Sequence, residues 1–249
     1  MQTLLLLISA FLLIALLRRE RQRNFTEESF ISIVNHTFRG PLTRIKWMSE
    51  TLGQEIPRKE QIDISKDLSN SVGRLLEIID ALAGIKDIHN TSAYDLKAVS
   101  LREILEEAIR KYSVQINEKK IKLSMPVMND LPLLSIDTKK ISFVIQVLLE
   151  NAILYSKDGD TIVIKAEVKD GELVLAIEDS GLGLSWKDRN NIFKRFYRGE
   201  RAKKMNTDGM GLGLYMARVI VRRHKGKIYA TSRGKNKGTT FFIKLPRKS

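Results

Sequence analysis

The sequence predicts an α+β protein built from a membrane helix, a helical hairpin and a two-layer α/β domain. Three observations predict this order: an apolar run opens the chain, apolar residues then recur at helical spacing, and alternating strand patterns mixed with helices follow. The 249 residues, 43% of them apolar, are enough to bury a core. The predicted parts are a membrane helix at 1–17, a basic linker at 18–24, a hairpin at 25–90 and an α/β domain at 94–249.

The composition narrows the classes of function. The chain has no cysteine, which excludes a disulfide framework and any thiolate metal site. A net charge of +14 and a pI near 9.9 suit nucleic acid, an anionic membrane surface or a phosphate-rich ligand. Because the sequence contains no nucleic-acid recognition motif, we expect no nucleic-acid partner.

The first part is interpreted as a short membrane anchor. Met1–Leu17 holds only three polar residues, and four arginines follow between residues 18 and 23. About 17 residues is the lower limit for a span, and flanking arginines place the downstream chain in the cytoplasm. We therefore expect a single-pass protein of the cell inner or plasma membrane, with the domains that follow the anchor in the cytoplasm. A signal peptide is the alternative, but its basic start and a small-residue cleavage site are missing.

Residues 25–88 are predicted to form two helical arms joined by a turn at Gln54–Pro57. Apolar residues in the second arm step by four and three, as along the seam of a coiled coil or a four-helix bundle. These residues are Leu68, Val72, Leu75, Ile79 and Leu82. One hairpin buries such a seam poorly, so we expect a homodimer whose two hairpins form a four-helix bundle.

The third part is predicted to mix helices with strands. Ser100 and Glu103 predict a capping box for a helix over 101–115, and Asp137 predicts the cap of a helix that reaches residue 155. Alternating residues on either side of residues 170–171, Asp-Gly, predict a β-hairpin. A last strand pair is predicted at 227–232 and 239–245. We expect the strands to form one sheet with the helices on one face.

One histidine in the first arm is placed to act as a nucleophile. His36 lies off the apolar stripe of that arm, so its imidazole is expected to face solvent, with a pKa near neutrality. The sequence Gly40-Pro41 interrupts the helix, but the apolar pattern resumes at once, which predicts a kink rather than an end. The apolar stripe comprises Val34, Phe38, Leu42, Ile45, Met48 and Leu52.

Residues 36–42, His-Thr-Phe-Arg-Gly-Pro-Leu, resemble the phosphoacceptor box of histidine kinases, usually His-Glu-Leu-Arg-Thr-Pro-Leu. The resemblance implies that His36 accepts a phosphoryl group. Thr37 stands where the family has an acidic residue that orients the ring and takes its proton, and it is a weaker base. Gly40 replaces the family's threonine or asparagine that positions water, which argues against phosphatase activity. The site positions implied here are His36, Thr37, Arg39 and Pro41.

Two segments of the α/β domain carry polar residues at positions that suit a ligand. Asn151 shares a helix face with apolar residues, and burying an amide without a partner costs about 1–3 kcal/mol. We therefore expect a ligand, a metal or a structural hydrogen bond at Asn151. Residues 179–183, Asp-Ser-Gly-Leu-Gly, follow a predicted strand. Their glycines let backbone approach a flat ligand and the carboxylate can accept from an exocyclic amine, although a tight turn is equally typical of such a sequence.

A third segment is glycine-rich. Residues 209–213, Gly-Met-Gly-Leu-Gly, open a helix predicted to reach His224, and glycine-rich backbone at a helix N-terminus can bind an anion. Aromatic residues and then Arg198 precede it. The aromatic cluster is typical of a core, whereas the arginine suits pairing with a terminal phosphate. The basic, polar stretch 199–208 suits a mobile lid.

In this order and spacing, the segments from about Tyr94 to Ser249 resemble the ATP-binding domain of Bergerat type that histidine kinases, DNA gyrase, the Hsp90 chaperones and MutL share. The resemblance implies that Asn151 coordinates Mg²⁺, that Asp179 holds the adenine amine of ATP, and that Arg198 meets the γ-phosphate. Gly181 and Gly183 then shape the pocket, and Gly209, Gly211 and Gly213 surround the triphosphate. The other implied ATP-site positions are Tyr155, Phe193, Phe196 and Leu212.

The combined resemblance implies a two-component sensor histidine kinase. Such a chain autophosphorylates His36 from Mg-ATP and passes the phosphoryl group to an aspartate of a response regulator receiver domain. Two positions depart from the family: Val147 replaces its first box asparagine, and Leu154 replaces a lysine that contacts phosphate. With Thr37, they favour one alternative, a degenerate scaffold that binds ATP or nothing. An ATPase of the chaperone or topoisomerase branch is the other, and the histidine hairpin argues against it.

Overall fold

The computed structural model describes residues 38–54, 56–89, 94–126, 131–205 and 209–247. The predicted membrane helix 1–17, the linker 18–24, and His36 and Thr37 lie outside the described residues. No helix within the described ranges is both long and apolar enough to cross a bilayer. The chain divides into two compact units, residues 1–77 and 78–249. The predicted domain boundaries at 25–90 and 94–249 stay predictions.

Two helices follow one another in the N-terminal unit. Helix α1 is described from residue 38 to residue 52, and α2, Arg58–His89, continues past the division between the units. The helices are separated where the turn was predicted. Helix α1 runs through Gly40 and Pro41 without ending, as the sequence predicts, because its apolar spacing continues beyond the proline.

Burial in this unit differs in part from the predicted stripe. Met48 and Ile64 are buried, and so is Pro41, whereas its neighbour Leu42 is 50% exposed although the sequence places it in the stripe. Along the predicted seam of α2, Leu68 and Leu75 are half-buried, and Val72 and Ile79 are 43% and 48% exposed. A single chain therefore leaves part of this seam open to solvent. The predicted dimeric bundle stays a prediction.

The C-terminal unit alternates short strands with helices. Its helices are α3 Leu101–Lys111, α4 Ser113–Glu118, α5 Thr138–Tyr155, α6 Trp186–Asn191, α7 Glu200–Met205 and α8 Gly213–Arg223. Its strands are β1 Lys97–Val99, β2 Lys122–Ser124, β3 Leu134–Ile136, β4 Thr161–Lys169, β5 Glu172–Asp179, β6 Lys227–Thr231 and β7 Thr239–Pro246.

The main sheet has five strands in the order β2-β4-β5-β7-β6. Strand β2 is parallel to β4, and the other pairs are antiparallel. Asp170 and Gly171 join β4 to β5 with φ values of 52° and 77°, so the predicted hairpin is confirmed with two left-handed turn residues. The short strands β1 and β3 form a separate antiparallel pair that the sequence pattern did not predict.

One face of the sheet is buried under helices. Alternate residues of β7 are buried, from Thr239 to Leu245, and the apolar faces of α3, α5 and α8 join them in one core. Helix α5 lies centrally, in contact with α3, α8 and β5. The predicted arrangement of one helical layer on a sheet therefore holds for the described part of this unit. It places the C-terminal turns of α5 beside the end of β5.

The helix caps agree with only part of the prediction. Asp137 caps α5 as predicted, since its Oδ1 accepts from the Lys140 main-chain nitrogen at 3.0 Å. The predicted capping box at Ser100 is wrong because that hydroxyl makes no capping hydrogen bond. The predicted helix 101–115 is broken at Tyr112, where the Ser113 hydroxyl donates to the Arg110 carbonyl oxygen at 2.9 Å and competes with the helical pattern.

Candidate functional site

One cavity of about 240 Å³ lies between the end of α5, the end of β5, helix α7 and the glycine turn before α8. Its walls come from segments that are far apart in the sequence. Eight of the predicted site residues line it: Asn151, Tyr155, Asp179, Gly183, Arg198, Gly209, Gly211 and Gly213. The fold therefore brings the three predicted segments together around a single space.

The other predicted residues lie outside the cavity lining. Phe193 is buried and meets Phe241 edge to face, with ring centroids 6.4 Å apart, and Phe241 lines the cavity. Leu212 is buried in the core, and Phe196 adopts a left-handed φ of 61°. These residues support the cavity wall and do not form its surface. In the N-terminal unit, Arg39 is exposed and Pro41 is buried.

Asn151 is half-buried and already has a hydrogen-bond partner. Its side-chain nitrogen donates to the Val147 carbonyl oxygen, one turn earlier, at 2.6 Å. Of the alternatives that the sequence left open at Asn151, the structural hydrogen bond is therefore present, because the helix backbone satisfies the amide nitrogen. The oxygen Oδ1 is the atom with the chemistry to bind a cation.

Asp179 is a buried carboxylate, 5% exposed, at the end of β5. Its Oδ1 accepts from the main-chain nitrogens of Gly181 at 2.8 Å and Thr239 at 3.2 Å. Burial raises the pKa of Asp179 to about 6, against the lowering effect of these two hydrogen bonds. Both bonds end on Oδ1, so Oδ2 is the oxygen through which this carboxylate can accept from a ligand in the cavity.

The loop after β5 requires glycine at two positions. A Cβ on Gly181 would lie 2.2 Å from the Tyr155 carbonyl oxygen, and one on Gly183 would lie 2.0 Å from the Gly234 carbonyl oxygen. Gly183 also has a left-handed φ of 61°. The Leu182 nitrogen donates to the Tyr155 oxygen at 3.2 Å, which ties the loop to the end of α5. The two glycines thus allow this loop to pass close to the Tyr155 and Gly234 backbone, and the loop forms part of the cavity wall.

Arg198 lines the same cavity beside the glycine turn. A Cβ on Gly209 would lie 3.4 Å from its guanidinium carbon, so the cation lies directly over this turn. Arg198 also hydrogen-bonds the Tyr155 hydroxyl, and its Nη2 donates to the Ala202 carbonyl oxygen at 3.1 Å. Burial raises the pKa of Tyr155, while the charge and the hydrogen bond of Arg198 oppose that rise. A phosphate over Gly209 would meet both the cation and glycine backbone.

Sequence reasoning missed a hydrogen-bonded group that supports this wall. Ser185 caps α6 in a true capping box with Asp188, and the Tyr197 hydroxyl donates to Asp188 Oδ1 at 2.9 Å. Burial raises the pKa of Asp188, but hydrogen bonds from Ser185 and Tyr197 outweigh it and lower the pKa overall. Burial and the neighbouring Asp188 raise the pKa of Tyr197 to about 12. The S-x-x-D pattern was the available signal.

Other lining residues carry charge or change the expected chemistry. Four further lining residues were not predicted by any sequence pattern: Glu150, Arg201, Lys235 and Thr239. Val147 and Leu154, the two departures from the kinase pattern, line it as well. The surface at these two positions is therefore apolar where the family has an amide and a cation.

The residues present fit Mg²⁺ only together with a nucleotide. Among the residues that the structure describes, no group of three or more acidic, histidine or cysteine side chains is arranged so that it could hold a metal ion. Mg²⁺ commonly takes one or two protein oxygens and completes its shell with substrate phosphates and water. Asn151, which lines the cavity together with the glycine turn, can supply one such oxygen, Oδ1, so the phosphates must supply others.

Known proteins resemble this chain in sequence. Residues 136–249 match the family described as histidine kinase-, DNA gyrase B- and HSP90-like ATPase. The chain is 28% identical over 240 residues to drug sensory protein A of Synechocystis, covering 91% of this chain and 36% of that protein. It is 31% identical over 235 residues to sensor protein KdpD of Clostridium acetobutylicum, covering 93% and 25%. The chain thus spans only 36% and 25% of the length of these relatives.

Solved structures show the same fold. Full-length ShkA in complex with AMPPNP matches with a TM-score of 0.65 and 19% identity, over 85% of this chain and 44% of that chain. Histidine kinase ThkA in complex with response regulator protein TrrA matches with a TM-score of 0.71 and 20% identity, over 92% of this chain and 64% of that chain. At these identities the likeness shows the fold alone.

Proposed function

We propose that this chain, whose residues 136–249 belong to the histidine kinase-, DNA gyrase B- and HSP90-like ATPase family, is a membrane-anchored protein-histidine kinase. The relationship to two-component sensor kinases predicted from the motifs is confirmed by the sensor proteins that match 91% and 93% of its length. Because the chain spans only part of those proteins, the activity is argued from its own residues.

The single observation that carries the proposal is the convergence of four segments on one cavity. Asp179 offers a buried acceptor for an exocyclic amine, and Arg198 offers a cation beside the glycine turn. Residues 209–213 supply glycine backbone at the start of α8 for a polyphosphate, and Asn151 supplies an amide oxygen. A nucleoside triphosphate is the ligand that uses all four features.

In the proposed reaction, a ring nitrogen of His36 attacks the γ-phosphorus of ATP. The nitrogen–phosphorus bond forms as the bond from phosphorus to the β,γ-bridging oxygen breaks, and ADP leaves with that electron pair. The proton on the other ring nitrogen is then released to solvent, so that a phosphohistidine with a neutral imidazole ring and a negatively charged phosphoryl group remains. The protein contributes alignment and charge stabilisation, and Arg198 is placed to neutralise charge on the transferred group.

Mg²⁺ bound with ATP would supply further neutralisation of charge on the β- and γ-phosphate oxygens. Asn151 would hold it through Oδ1, and the hydrogen bond from the Asn151 nitrogen to the Val147 carbonyl oxygen fixes the amide for that purpose. This role predicts that shortening or removing the amide weakens metal-dependent nucleotide binding more than binding without metal.

The partners follow from the same proposal. A response regulator aspartate would accept the phosphoryl group, and the ThkA–TrrA complex is a precedent in a protein of the same fold. A second copy of this chain would cover the exposed seam residues Val72 and Ile79. The apolar run 1–17 would anchor the dimer in the inner or plasma membrane, where its basic linker faces anionic lipid.

Incubation of the purified chain with γ-labelled ATP and Mg²⁺ tests the function. We expect acid-labile label on the protein that is lost in His36→Gln and retained in His89→Gln, a histidine control in the same chain. Asp179→Asn is expected to lose the label because ATP no longer binds. Release of free phosphate without protein labelling would indicate an ATPase instead.

A degenerate scaffold is the second candidate, because the apolar residues Val147 and Leu154 line the cavity. A scaffold would give neither protein label nor free phosphate. Restoring polar groups with Val147→Asn and Leu154→Lys then distinguishes the cases. Gain of labelling in the double variant would show that these two positions alone disable the site.

A further inference from the structure

We infer that Arg201 is a positioning residue that fastens helix α7 across the cavity and so retains bound nucleotide. The inference rests on the proposed function, because a nucleoside triphosphate is the ligand to be retained. Its basis is a set of contacts between α7 and two loops that also contribute residues to the cavity lining, one after β5 and one between β6 and β7.

Arg201 joins α7 to two segments that are distant in the sequence. Its Nη1 donates to the Leu182 carbonyl oxygen at 2.8 Å, in the loop after β5. Its Nη2 donates to the Asn236 side-chain oxygen, in the turn between β6 and β7. Arg201 and Leu182 both line the cavity. The guanidinium group of Arg201 therefore connects helix α7 to the loop that follows Asp179.

Helix α7 depends on such contacts because apolar packing does not hold it. The helix has six residues and none of them is buried. A helix this short is marginal in water without tertiary contacts. Arg198, which precedes α7, donates to the Ala202 carbonyl oxygen at 3.1 Å, a contact between residues only four positions apart. The hydrogen bonds of Arg201, in contrast, join α7 to residues 19 and 35 positions away.

The two acceptors are held ready for a guanidinium group. The Asn236 main-chain nitrogen donates to the Leu182 main-chain oxygen at 2.7 Å, so the two loops are joined to each other independently of Arg201. Asn236 has a left-handed φ of 58°, a conformation that asparagine tolerates better than most residues. The planar fork of arginine can donate to two separate acceptors at once, whereas a lysine ammonium is a compact charge. The positions of the two acceptors therefore suit the planar guanidinium group of arginine and not the ammonium group of lysine.

Release of mant-ATP from the purified full chain, chased with unlabelled ATP, tests the role of Arg201. We expect release to be about tenfold faster in Arg201→Ala, because two hydrogen bonds from a charged donor are lost. Arg201→Lys keeps the charge and is expected to behave like the alanine variant. Asn236→Gly keeps the left-handed backbone, removes one acceptor and is expected to speed release by a smaller factor. Lys204→Ala, an exposed cation on the same helix, is the control.

The outcomes separate the inference from the proposed function. Release rates of Arg201→Ala and Lys204→Ala that agree within a factor of two would overturn the inference, and so would full rescue by Arg201→Lys, which would indicate a charge effect. A wild-type chain that binds no mant-ATP would contradict both the proposed function and the proposed role of Arg201. If Arg201→Ala loses the far-ultraviolet circular dichroism signal of the folded chain, the test depends on Asn236→Gly. An unchanged release rate of mant-ATP in Asn236→Gly would then overturn the inference.

Discussion

The side-chain nitrogen of Lys119 donates to the main-chain oxygen of Ile153 at 2.8 Å, at the last turn of α5. The same nitrogen reaches the main-chain oxygens of Leu154 at 3.1 Å and Ser156 at 3.0 Å. The last carbonyls of a helix have no partner within the helix, and a cation also complements the helix dipole there. Lys119, which lies outside the cavity lining, therefore fixes the end of the helix that carries Tyr155 into the cavity.

Replacing Lys119 with methionine is expected to lower the free energy of unfolding by about 1–3 kcal/mol, because three main-chain oxygens lose a charged donor. Urea denaturation measures this change. The affinity for mant-ATP is expected to fall as well, since the end of α5 supports the cavity. Lys122→Met, which changes an exposed lysine on β2, is the control, and equal losses in both variants would contradict the role of Lys119.

The buried carboxylate of Asp179 is expected to lower the free energy of unfolding, although the proposed function requires it for nucleotide binding. Its pKa is about 6 in the folded chain against 3.8 for an ordinary aspartate, so at neutral pH the buried charge costs up to about 3 kcal/mol. Asparagine has an oxygen that can accept the same two main-chain hydrogen bonds. Asp179→Asn is therefore expected to raise the melting temperature at pH 7.5 and to abolish nucleotide binding. As the pH falls from about 6 to about 4, Asp179 becomes protonated in the folded wild type but not yet in the unfolded chain. The difference in the free energy of unfolding between Asp179→Asn and the wild type is therefore expected to shrink over this pH range.

The same raised pKa predicts how ligand binding depends on pH. Below about pH 6, Asp179 becomes protonated, and a neutral acid is a poorer acceptor for an exocyclic amine. Adenosine is a suitable probe because it lacks phosphates that titrate near pH 6. Its affinity, measured by calorimetry or by competition, is expected to fall by up to about tenfold per pH unit below the pKa. Constant affinity from pH 7.5 to pH 5 would contradict recognition through the ionised carboxylate.

Local signals in the sequence predicted much of the fold, because their partners are close along the chain. The Asp137 cap needs only a main-chain nitrogen three residues later, and the hairpin at Asp170 and Gly171 needs only its own turn. The pattern Ser-x-x-acid occurs at both Ser100 and Ser185, yet only the second forms a capping box. There Tyr197 also holds the acidic partner, which is a tertiary contact that a short pattern does not contain.

The candidate site was predictable where glycine and carboxylate motifs mark it, and not where side chains meet from distant loops. Arg201 bonds to residues 19 and 35 positions away, so its sequence neighbourhood shows only a basic stretch. At Asn151 the sequence left a ligand, a metal and a structural hydrogen bond open, and the structure shows that the amide nitrogen bonds a carbonyl oxygen four residues back in the same helix. The exposure of Asn151 depended on packing that periodicity alone does not specify.

The close approach of two loops at Gly183 gives a direct prediction. An alanine there would place its Cβ 2.0 Å from the Gly234 oxygen and would also have to adopt a φ of 61°. Gly159→Ala is the control, since Gly159 has a φ of 80° and no atom within 4 Å of the added Cβ. We expect about 1 kcal/mol of destabilisation in the control and more in Gly183→Ala. Only Gly183→Ala should also weaken mant-ATP binding, and equal behaviour of the two variants would contradict the close approach.

His224 predicts an acid sensitivity of opposite sign to that of Asp179. Its Nε2 accepts from the Asp137 main-chain nitrogen at 3.0 Å, so Nδ1 carries the proton and donates to the Ile220 carbonyl oxygen at 2.9 Å. Burial lowers its pKa below 6.5, against the raising effects of that carbonyl and of Asp137. The unfolded chain therefore binds this proton more readily, and stability is lost as the pH falls below 6.5.

This sensitivity can be isolated in an Asp179→Asn background, which removes the opposing titration. There, the free energy of unfolding is expected to fall between pH 7.5 and pH 5.5, and adding His224→Gln is expected to flatten that dependence. Adding His89→Gln instead should leave it unchanged. Nitrogen chemical shifts of the His224 ring at pH 7.5 provide an independent check, because the hydrogen bonds require the neutral tautomer with its proton on Nδ1. A proton on Nε2 would contradict the bond from Asp137 and, with it, the predicted direction of the pH dependence.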